Sequence, residues 1–271
     1  MGVNRKNNGN YYLGKDARGR RCWRKKGADV RDISTVPNDS SDNDGRLVKL
    51  KTLDDGGLEE LINSVSRSDV TLEALDVAHY AHEGVERKQL RLGCKEPYVS
   101  HVMRNSLRGY MWSKGRMSDE DCEKVMMACL LHDTVEDAPD RICDYYGDEK
   151  GDAVGTIRKQ FGDDVADAVV AVTNPPKPDG LSDEEKRQFY VSHLRDSLKT
   201  DMAIVVKAAD LWDNAGSSVY GDAQSAEKMA KKYIPAIRLV GNLAKKSDNK
   251  ELGNIIYNEM KSLEEKIDVW S

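Results

Sequence analysis

The chain has 271 residues, of which 39% are hydrophobic and 33% charged, and its formal net charge is −5. This length and apolar content are enough for one large domain with a buried core. The negative charge disfavours general nucleic-acid binding by the chain as a whole. No apolar run approaches the roughly 20 residues of a membrane span, and the polar start lacks the apolar stretch of a secretory signal. We therefore expect a cytoplasmic protein.

The five cysteines are scattered along the chain, and no two of them form a CxxC pair. They are Cys22, Cys94, Cys122, Cys129 and Cys143. An odd, scattered set favours reduced thiols, because cytoplasmic proteins rarely carry disulfides. We therefore expect five reduced thiols.

The first 50 residues or so are polar and have almost no periodic apolar pattern. Residues 10–13 and 21–24 flank the turn-like residues 15–19, which predicts a short β-hairpin. The stretch is also basic, with aromatic residues between the charges: Arg18, Arg20, Arg21, Arg24, Lys25 and Lys26 alternate with Tyr11, Tyr12 and Trp23. Such a cluster can bind nucleic acid or an acidic protein partner. A flexible solubilising arm is an equal alternative.

The segment 38–45 has the composition of a linker, and the helical signals begin after it. We therefore divide the chain into a basic N-terminal extension, residues 1–55, and a main domain, residues 56–271.

The main domain shows apolar positions at helical spacing. The repeats are Leu58–Leu61–Ile62–Val65, Leu75–Ala78–His79–His82, Val125–Met126–Cys129–Leu130, Val165–Ala168–Val169–Val172 and Val205–Ala208–Ala209–Trp212. Residues 222–268 have the pattern of two further helices. The sequence therefore predicts an all-α helical bundle.

The segment 130–139, with sequence LLHDTVEDAP, carries the strongest chemical signal. In a continuous helix ended by Pro139, Asp133 lies one turn from Asp137, and the acidic groups collect at the C-terminal end. That end of a helix disfavours negative charge, and a bound divalent cation would relieve the repulsion. A solvated acidic face is the alternative. It fits poorly, because an apolar run leads directly into His132 and the segment contains no basic residue.

An adjacent His-Asp pair gives two ligands, and hydrolytic metal sites need about four to six donors, at least one of them left for water. His101, near a predicted helix start, and Asp210, at the end of an apolar run, are candidates for the others. A buried Asp210 needs a cation, which can equally be a metal ion or Lys207 three residues earlier.

The order of these residues follows a specific pattern: Arg87-Lys88, Pro97-Tyr98-x-x-His101, His132-Asp133-x-x-Glu136-Asp137 and Asp210-x-x-x-Asn214. This pattern resembles the hydrolase domain of RelA/SpoT-type proteins, and the HDxxED form separates it from other phosphatases of the HD superfamily. The resemblance covers about residues 70–220 and leaves out residues 1–55. It implies an HD-domain helical bundle and a small alarmone hydrolase, since no synthetase domain fits in the remaining length.

Carried over by position, the resemblance implies a role for each matching residue. His101, His132, Asp133 and Asp210 would bind one Mn²⁺. Glu136 and Asp137 would orient and deprotonate the attacking water, and these coupled carboxylates cannot be assigned separate roles. The remaining three would bind substrate: Arg87 and Lys88 at the guanine base and phosphates, and Asn214 near the ribose.

The sequence departs from the family pattern at two places. Residues 89–96 form a longer link than usual, and Val102 follows His101 where the family usually has proline. Neither change removes a ligand. The longer link lies near the side expected to bind the base, so it weakens the inference to guanine more than the inference to phosphohydrolysis.

Three functions follow as hypotheses. The first is Mn²⁺-dependent hydrolysis of the 3′-pyrophosphate of (p)ppGpp-type alarmones to GDP or GTP and pyrophosphate. The second is hydrolysis of another nucleotide, such as ppApp or a nucleoside monophosphate. The third is an antitoxin or partner-binding module that uses the basic extension. Of the other candidate residues, we expect His82 to be packed and hydrogen-bonded, and His79 and His193 not to bind metal. Lys177 and Arg187 could reach phosphate, but we expect them to be solvated loop charges.

Overall fold

The computed structural model describes residues 11–15, 21–25, 50, 53–87, 95–176, 178–217 and 223–269. Two strands, β1 (Tyr11–Lys15) and β2 (Arg21–Lys25), pair antiparallel at the positions where the sequence predicts a hairpin. The register pairs Leu13 with Trp23 and Tyr12 with Arg24.

The rest of the described chain is helical, and the all-α prediction is confirmed for the main domain. The helices are α1 (Asp55–Val65), α2 (Asp69–Ala81), α3 (Val99–Ser113), α4 (Asp119–Leu131), α5 (Thr134–Asp137), α6 (Pro139–Tyr146), α7 (Ala153–Phe161), α8 (Asp163–Val172), α9 (Asp183–Ser197), α10 (Asp201–Ser217), α11 (Ala223–Lys245) and α12 (Lys250–Asp268). Each helical repeat seen in the sequence lies on one of them, except that His82 is the residue just after the end of α2, and the two C-terminal helices are α11 and α12.

Helix α10 is the centre of the bundle. Every residue from Met202 to Asp213 is buried, and α10 contacts α3, α4, α8, α11 and α12. A helix that is buried on all sides lies in the core, so each charged side chain on it needs a partner. Lys207, Asp210 and Asp213 are the charged residues in this buried stretch, and all three lie near the candidate site.

Helices α3 and α4 cross closely at Gly109. A Cβ atom at that position would lie 2.8 Å from Cγ1 of Val125 and 3.1 Å from Sγ of Cys129. The absence of a side chain therefore allows the close contact that brings His101 on α3 towards the end of α4.

The prediction that one helix runs through residues 130–137 and is ended by Pro139 was wrong. Helix α4 ends at Leu131, a single turn forms α5, and Pro139 begins α6. Proline is favoured in the first turn of a helix, where its missing N–H group has no acceptor to lose. The one-turn relation between Asp133 and Asp137 persists, because the Asp137 N–H donates to the Asp133 carbonyl oxygen at 2.8 Å.

Cys122, Cys129 and Cys143 are free and buried. The side chain of Cys22 and the whole of Cys94 lie outside what the structure describes. Within the described part of the chain, no helix combines the length and the apolar character needed to cross a bilayer.

Candidate active site

The structure brings the four predicted metal ligands to one point. Nε2 of His101 lies 3.5 Å from Oδ2 of Asp133 and 3.3 Å from Oδ1 of Asp210. Nε2 of His132 lies 3.0 Å and 3.5 Å from the same two oxygens. The ligand atoms of His101, His132 and Asp133 all lie within 4.8 Å of one another, so these residues could hold a metal ion.

The imidazole of His132 is held by the end of α4. Its Nδ1 lies 2.8 Å from the backbone carbonyl oxygen of Cys129, which accepts a hydrogen bond from a protonated Nδ1. Nε2 is therefore the nitrogen that faces Asp133 and Asp210, and no described residue completes a hydrogen bond to this buried atom. A buried, unpartnered nitrogen facing two carboxylates fits a cation well.

Asp210 is shared between two kinds of partner. Its Oδ2 accepts a hydrogen bond of 3.0 Å from Nζ of Lys207, and its Oδ1 accepts one of 2.5 Å from Nδ2 of Asn214. Because Lys207 occupies only Oδ2, the histidines still face Oδ1. Lys207 and a metal ion, which the sequence left as alternatives, are therefore compatible with each other.

The histidines and Lys207 lower the pKa values of the two carboxylates at this point. Burial raises the pKa of Asp133, but the neighbouring His132 and His101 outweigh it and hold that pKa well below its usual range. Burial likewise opposes ionisation of Asp210, and Lys207 together with the histidines lowers its pKa well below the usual range. Both carboxylates are therefore ionised at neutral pH, as metal ligands must be.

The same carboxylates act on the histidines. Burial lowers the pKa of His132, and Asp133 and Asp210 more than compensate and raise it well above 6.5. The donor set, two imidazole nitrogens and two ionised carboxylates in a buried position, fits a divalent cation.

Glu136 and Asp137 lie beside this point and line the same cleft. Oε2 of Glu136 accepts hydrogen bonds of 3.0 Å from both the backbone N–H and the side-chain amide of Asn174. Burial and the nearby Asp133 carboxylate raise the pKa of Asp137. One carboxylate is thus held in a fixed orientation, and the other has increased proton affinity.

The cleft has a volume of about 780 Å³ and contains charges of both signs. Six acidic residues of the described chain line it, among them Asp133, Glu136, Asp137 and Asp210. Six cationic residues in the same described part line it as well: Arg87, Lys186, Arg187, Lys207, Lys228 and Lys232. Such a distribution suits a substrate with several negative charges that meets a cation at one end.

Of the three predicted substrate-binding residues, Arg87 and Asn214 line the cleft as a pair. Nη2 of Arg87 donates a hydrogen bond of 2.7 Å to Oδ1 of Asn214, and the Arg87 side chain is only 1% exposed. Lys88 lies outside the described residues.

The chain is similar to known proteins in sequence and in fold, although no protein-family model matches it. Among characterised proteins, it is similar to the guanosine-3′,5′-bis(diphosphate) 3′-pyrophosphohydrolase MESH1 of Drosophila melanogaster, with 28% identity over 186 residues. The similarity covers 67% of this chain and 88% of MESH1.

Among solved structures, the chain is similar to a metazoan ortholog of SpoT described as hydrolysing ppGpp and playing a role in starvation responses. Identity is 22% and the TM-score 0.51, over 73% of this chain and 96% of that one. The chain has the fold of that hydrolase. The resemblance to RelA/SpoT-type hydrolases is thereby confirmed.

Within this hydrolase fold, sequence reasoning missed three residues next to the site: Tyr98, Asn174 and Asp213. The hydroxyl of Tyr98 donates a hydrogen bond of 2.7 Å to Oδ2 of Asp133. Tyr98 stood in the quoted motif without a role, and nothing in the sequence around Asn174 marks it. Asp213 was detectable, because it is a carboxylate that falls on the same buried helix as Asp210.

The other three histidines, His79, His82 and His193, lie outside the predicted metal centre. His82 is 3% exposed and stacks on Tyr98 at 4.6 Å between ring centroids, but its Nε2 has no hydrogen-bond partner within the described chain. The expectation of a packed His82 is confirmed, and the expected hydrogen bond at Nε2 is absent. His193 contacts the carbonyl oxygen of Thr173 at 3.0 Å, and His79 lies 3.9 Å from Glu59. Neither is part of the cluster that could hold a metal ion.

Proposed function

We propose that this chain is a metal-dependent phosphohydrolase that hydrolyses the 3′-pyrophosphate of (p)ppGpp-type alarmones to GDP or GTP and pyrophosphate. The similarity to MESH1 and to the ppGpp-hydrolysing SpoT ortholog supports the reaction. The observation that carries the proposal is the convergence of two histidines and two carboxylates at the wall of a cleft lined by charges of both signs. We further propose that the enzyme acts in the cytoplasm.

The metal is proposed to be Mn²⁺, held by His101, His132, Asp133 and Asp210. Mixed imidazole and carboxylate donors suit a divalent transition metal better than Mg²⁺, which prefers oxygen ligands. When bound, such an ion polarises a phosphoryl oxygen and acidifies water.

Glu136 and Asp137 are proposed to orient and deprotonate the attacking water. The hydrogen bonds from Asn174 hold the Glu136 carboxylate in one orientation. The carboxylate can therefore hold the attacking water in a fixed position. The raised pKa of Asp137 increases its capacity to accept a proton from the attacking water. Because adjacent carboxylates titrate as a pair, the proton is assigned to both together.

The nucleotide is proposed to contact Arg87 and Asn214 as one hydrogen-bonded unit, and to contact Lys88 as well. The amide of Asn214 bridges Arg87 and Asp210, so it connects the substrate-binding side of the cleft to the metal centre. The cationic side chains Lys186, Arg187, Lys228 and Lys232 are available for the remaining phosphates.

A substrate panel tests the proposal. Purified protein with added Mn²⁺ should release pyrophosphate from ppGpp, and Asp133→Ala and Glu136→Ala should each abolish the release. Asp196→Ala is the matched control, because Asp196 is exposed on α9 and does not line the cleft. Intact turnover in either site variant would contradict the mechanism. Faster turnover of ppApp or of deoxynucleoside monophosphates would instead favour the second hypothesis, a different nucleotide substrate.

We propose that residues 1–55 are an extension to a hydrolase domain of residues 56–271 and that this extension binds nucleic acid. The hairpin supports the proposal. Strands β1 and β2 bring the basic and aromatic positions of this segment into register, a combination that suits binding to nucleic acid. Deletion of residues 1–49 is the test, because it keeps Leu50, which is 2% exposed in the core. Hydrolysis should survive and RNA or DNA binding should be lost. Loss of a protein partner alone would favour the antitoxin hypothesis.

A further inference from the structure

A third carboxylate, Asp213, lies behind the metal centre and is fully buried. Its Oδ2 lies 2.8 Å from Nδ1 of His101, on the side of the imidazole ring opposite to Asp133 and Asp210. Asp213 has no role in binding the ion or the substrate in the mechanism above. The burial of this carboxylate must therefore be explained by its own contacts.

Asp213 is ionised because it lies among guanidinium groups. Arg104 donates to both of its oxygens, from Nε at 2.7 Å and from Nη2 at 2.9 Å, and Arg87 donates to it from Nη1. A carboxylate in this position has acceptor sites and no proton to give. Any hydrogen bond between Asp213 and His101 must therefore come from a protonated Nδ1 of His101.

The other side of the imidazole ring leads to the same tautomer. Oδ1 of Asn105 accepts a hydrogen bond of 3.3 Å from Nη1 of Arg108, which fixes the orientation of the amide. Its Nδ2 then points at Nε2 of His101, at 3.2 Å. A donor facing Nε2 favours a lone pair on that atom and places the single proton of the neutral ring on Nδ1. A cation bound by Asp133 and Asp210 would replace this amide as the partner of the lone pair.

Arg87 competes with Asp213 for Nδ1 of His101. Its Nη1 also lies 3.1 Å from Nδ1 of His101, and a guanidinium can only donate. Donation to Nδ1 would move the ring proton to Nε2 and remove the lone pair from the metal centre. Asp213 is closer to Nδ1 and accepts from Arg87 as well, so it satisfies both groups without that loss.

We infer that Asp213 is a positioning residue of the metal centre, which accepts the Nδ1–H of His101 and directs its Nε2 lone pair towards Asp133 and Asp210. The inference rests on the proposed function, because it requires His101 to be a ligand. His132 is oriented in the same way by a neutral carbonyl oxygen, whereas His101 has a carboxylate, which makes the imidazole a stronger donor.

Two variants that remove the same charge from the same cluster test the inference. Glu96 is 5% exposed and, like Asp213, accepts hydrogen bonds from Arg104. Unlike Asp213, it forms no described hydrogen bond with His101. In Asp213→Asn, the guanidinium groups take the amide oxygen and leave the NH₂ group facing Nδ1, which favours the wrong tautomer. Glu96→Gln weakens the cluster and leaves the tautomer unchanged.

Mn²⁺ affinity, measured by isothermal titration calorimetry on the full chain, is the readout. We expect Asp213→Asn to weaken binding by about 10- to 100-fold and Glu96→Gln to leave it within about threefold of the wild type. Equal affinities in the two variants would overturn the role of Asp213. Wild-type protein that binds no divalent cation would overturn the proposed function as well, so the two failures are distinguishable.

A measurement on the wild type keeps the inference testable if Asp213→Asn does not fold. In ¹⁵N-histidine-labelled protein loaded with diamagnetic Zn²⁺, NMR assigns the protonated and the metal-bound nitrogen of each ring. We expect His101 to show a hydrogen-bonded Nδ1–H that is protected from exchange with water. A His101 ring that is metal-bound through Nδ1, or protonated at Nε2, would overturn the inference.

Discussion

Tyr98 donates a hydrogen bond of 2.7 Å to Oδ2 of Asp133, the same oxygen that lies 3.0 Å from Nε2 of His132. Asp133 is the N-cap residue of α5, and its side chain makes no capping hydrogen bond that would restrain it. Tyr98 itself is fixed by stacking on His82 and by its position immediately before α3. The phenol therefore restrains the carboxylate that both histidines face.

The first prediction concerns this hydrogen bond. Tyr98→Phe keeps the ring and removes only the hydroxyl donor, and a hydrogen bond to a charged group contributes about 1.5 kcal/mol or more. We expect Mn²⁺ binding to weaken by about tenfold, as measured by calorimetry. Tyr110→Phe is the control, because Tyr110 lies on α3 and does not line the cleft. Unchanged affinity in Tyr98→Phe would show that Asp133 is restrained by other contacts.

The second prediction concerns removal of the metal. Because an ion bound only by the folded state stabilises it, Mn²⁺ at 100 times its dissociation constant should raise the free energy of unfolding by about 2.7 kcal/mol. A chelator should reverse the effect, and Asp133→Asn should abolish it. The matched control is Asp167→Asn, which removes an exposed carboxylate paired with Arg158. Calorimetric melting with and without Mn²⁺ measures the difference. A melting temperature that does not respond to Mn²⁺ would contradict the site.

The sequence predicted the helices well, because their apolar spacing reports directly on the buried face. It also selected the four residues that the structure brings together, although His101 and Asp210 depended on the family pattern rather than on local physics. The break between α4 and α5 at residues 132–133 could not be predicted from the spacing of the residues. A continuous helix and a break followed by α5 both place Asp137 one turn after Asp133, so spacing alone does not distinguish them.

The buried polar layer behind the site was also beyond the sequence. Arg104 and Arg108 follow His101 at helical spacing, and a helix surface that carries two arginines ordinarily faces solvent. Both are buried here because Arg104 pairs with Glu96 and Asp213, and Nη2 of Arg108 lies 3.7 Å from Oδ1 of Asp213 on a different helix. Such pairing is a tertiary property, and a single sequence does not show which charges meet.

The third prediction separates these two buried arginines. Arg104 forms a two-pronged ion pair with Glu96, at 2.8 and 2.6 Å, and also contacts Asp213. Breaking a buried pair leaves an unpaired charge, so Arg104→Met should lower the free energy of unfolding by about 3–5 kcal/mol. Urea denaturation of the metal-free protein measures the loss.

Arg108→Met is the comparison for Arg104→Met. Two nitrogens of Arg108, Nε and Nη2, have no hydrogen-bond partner in the described residues, and burial lowers the pKa of its guanidinium to about 10. An apolar side chain of similar length should fill the same space over the Trp212 ring. We expect the free energy of unfolding to stay within about 1 kcal/mol of the wild type. Equal destabilisation by the two substitutions would contradict the difference in pairing.

The fourth prediction concerns pH and His82. Burial lowers the pKa of this histidine from 6.5 to about 4. The unfolded chain therefore takes up a proton near pH 6.5, whereas the folded protein resists protonation until about pH 4. The contribution of His82 to stability is fully present above pH 6.5 and is lost as the pH falls towards 4, by on the order of 3 kcal/mol. Urea denaturation at several pH values in the presence of a chelator measures this loss.

In His82→Gln, the loss of stability between pH 6.5 and 4 should be smaller than in the wild type, whatever the stability of the variant at pH 7.5. The slope rather than the absolute value is the readout, because a buried amide has its own desolvation cost. Direct observation of the His82 ring by NMR provides an independent check. A ring that titrates near pH 6.5 in the folded protein would mean that water reaches Nε2 through the cleft, and the acid sensitivity would then have to arise at other groups.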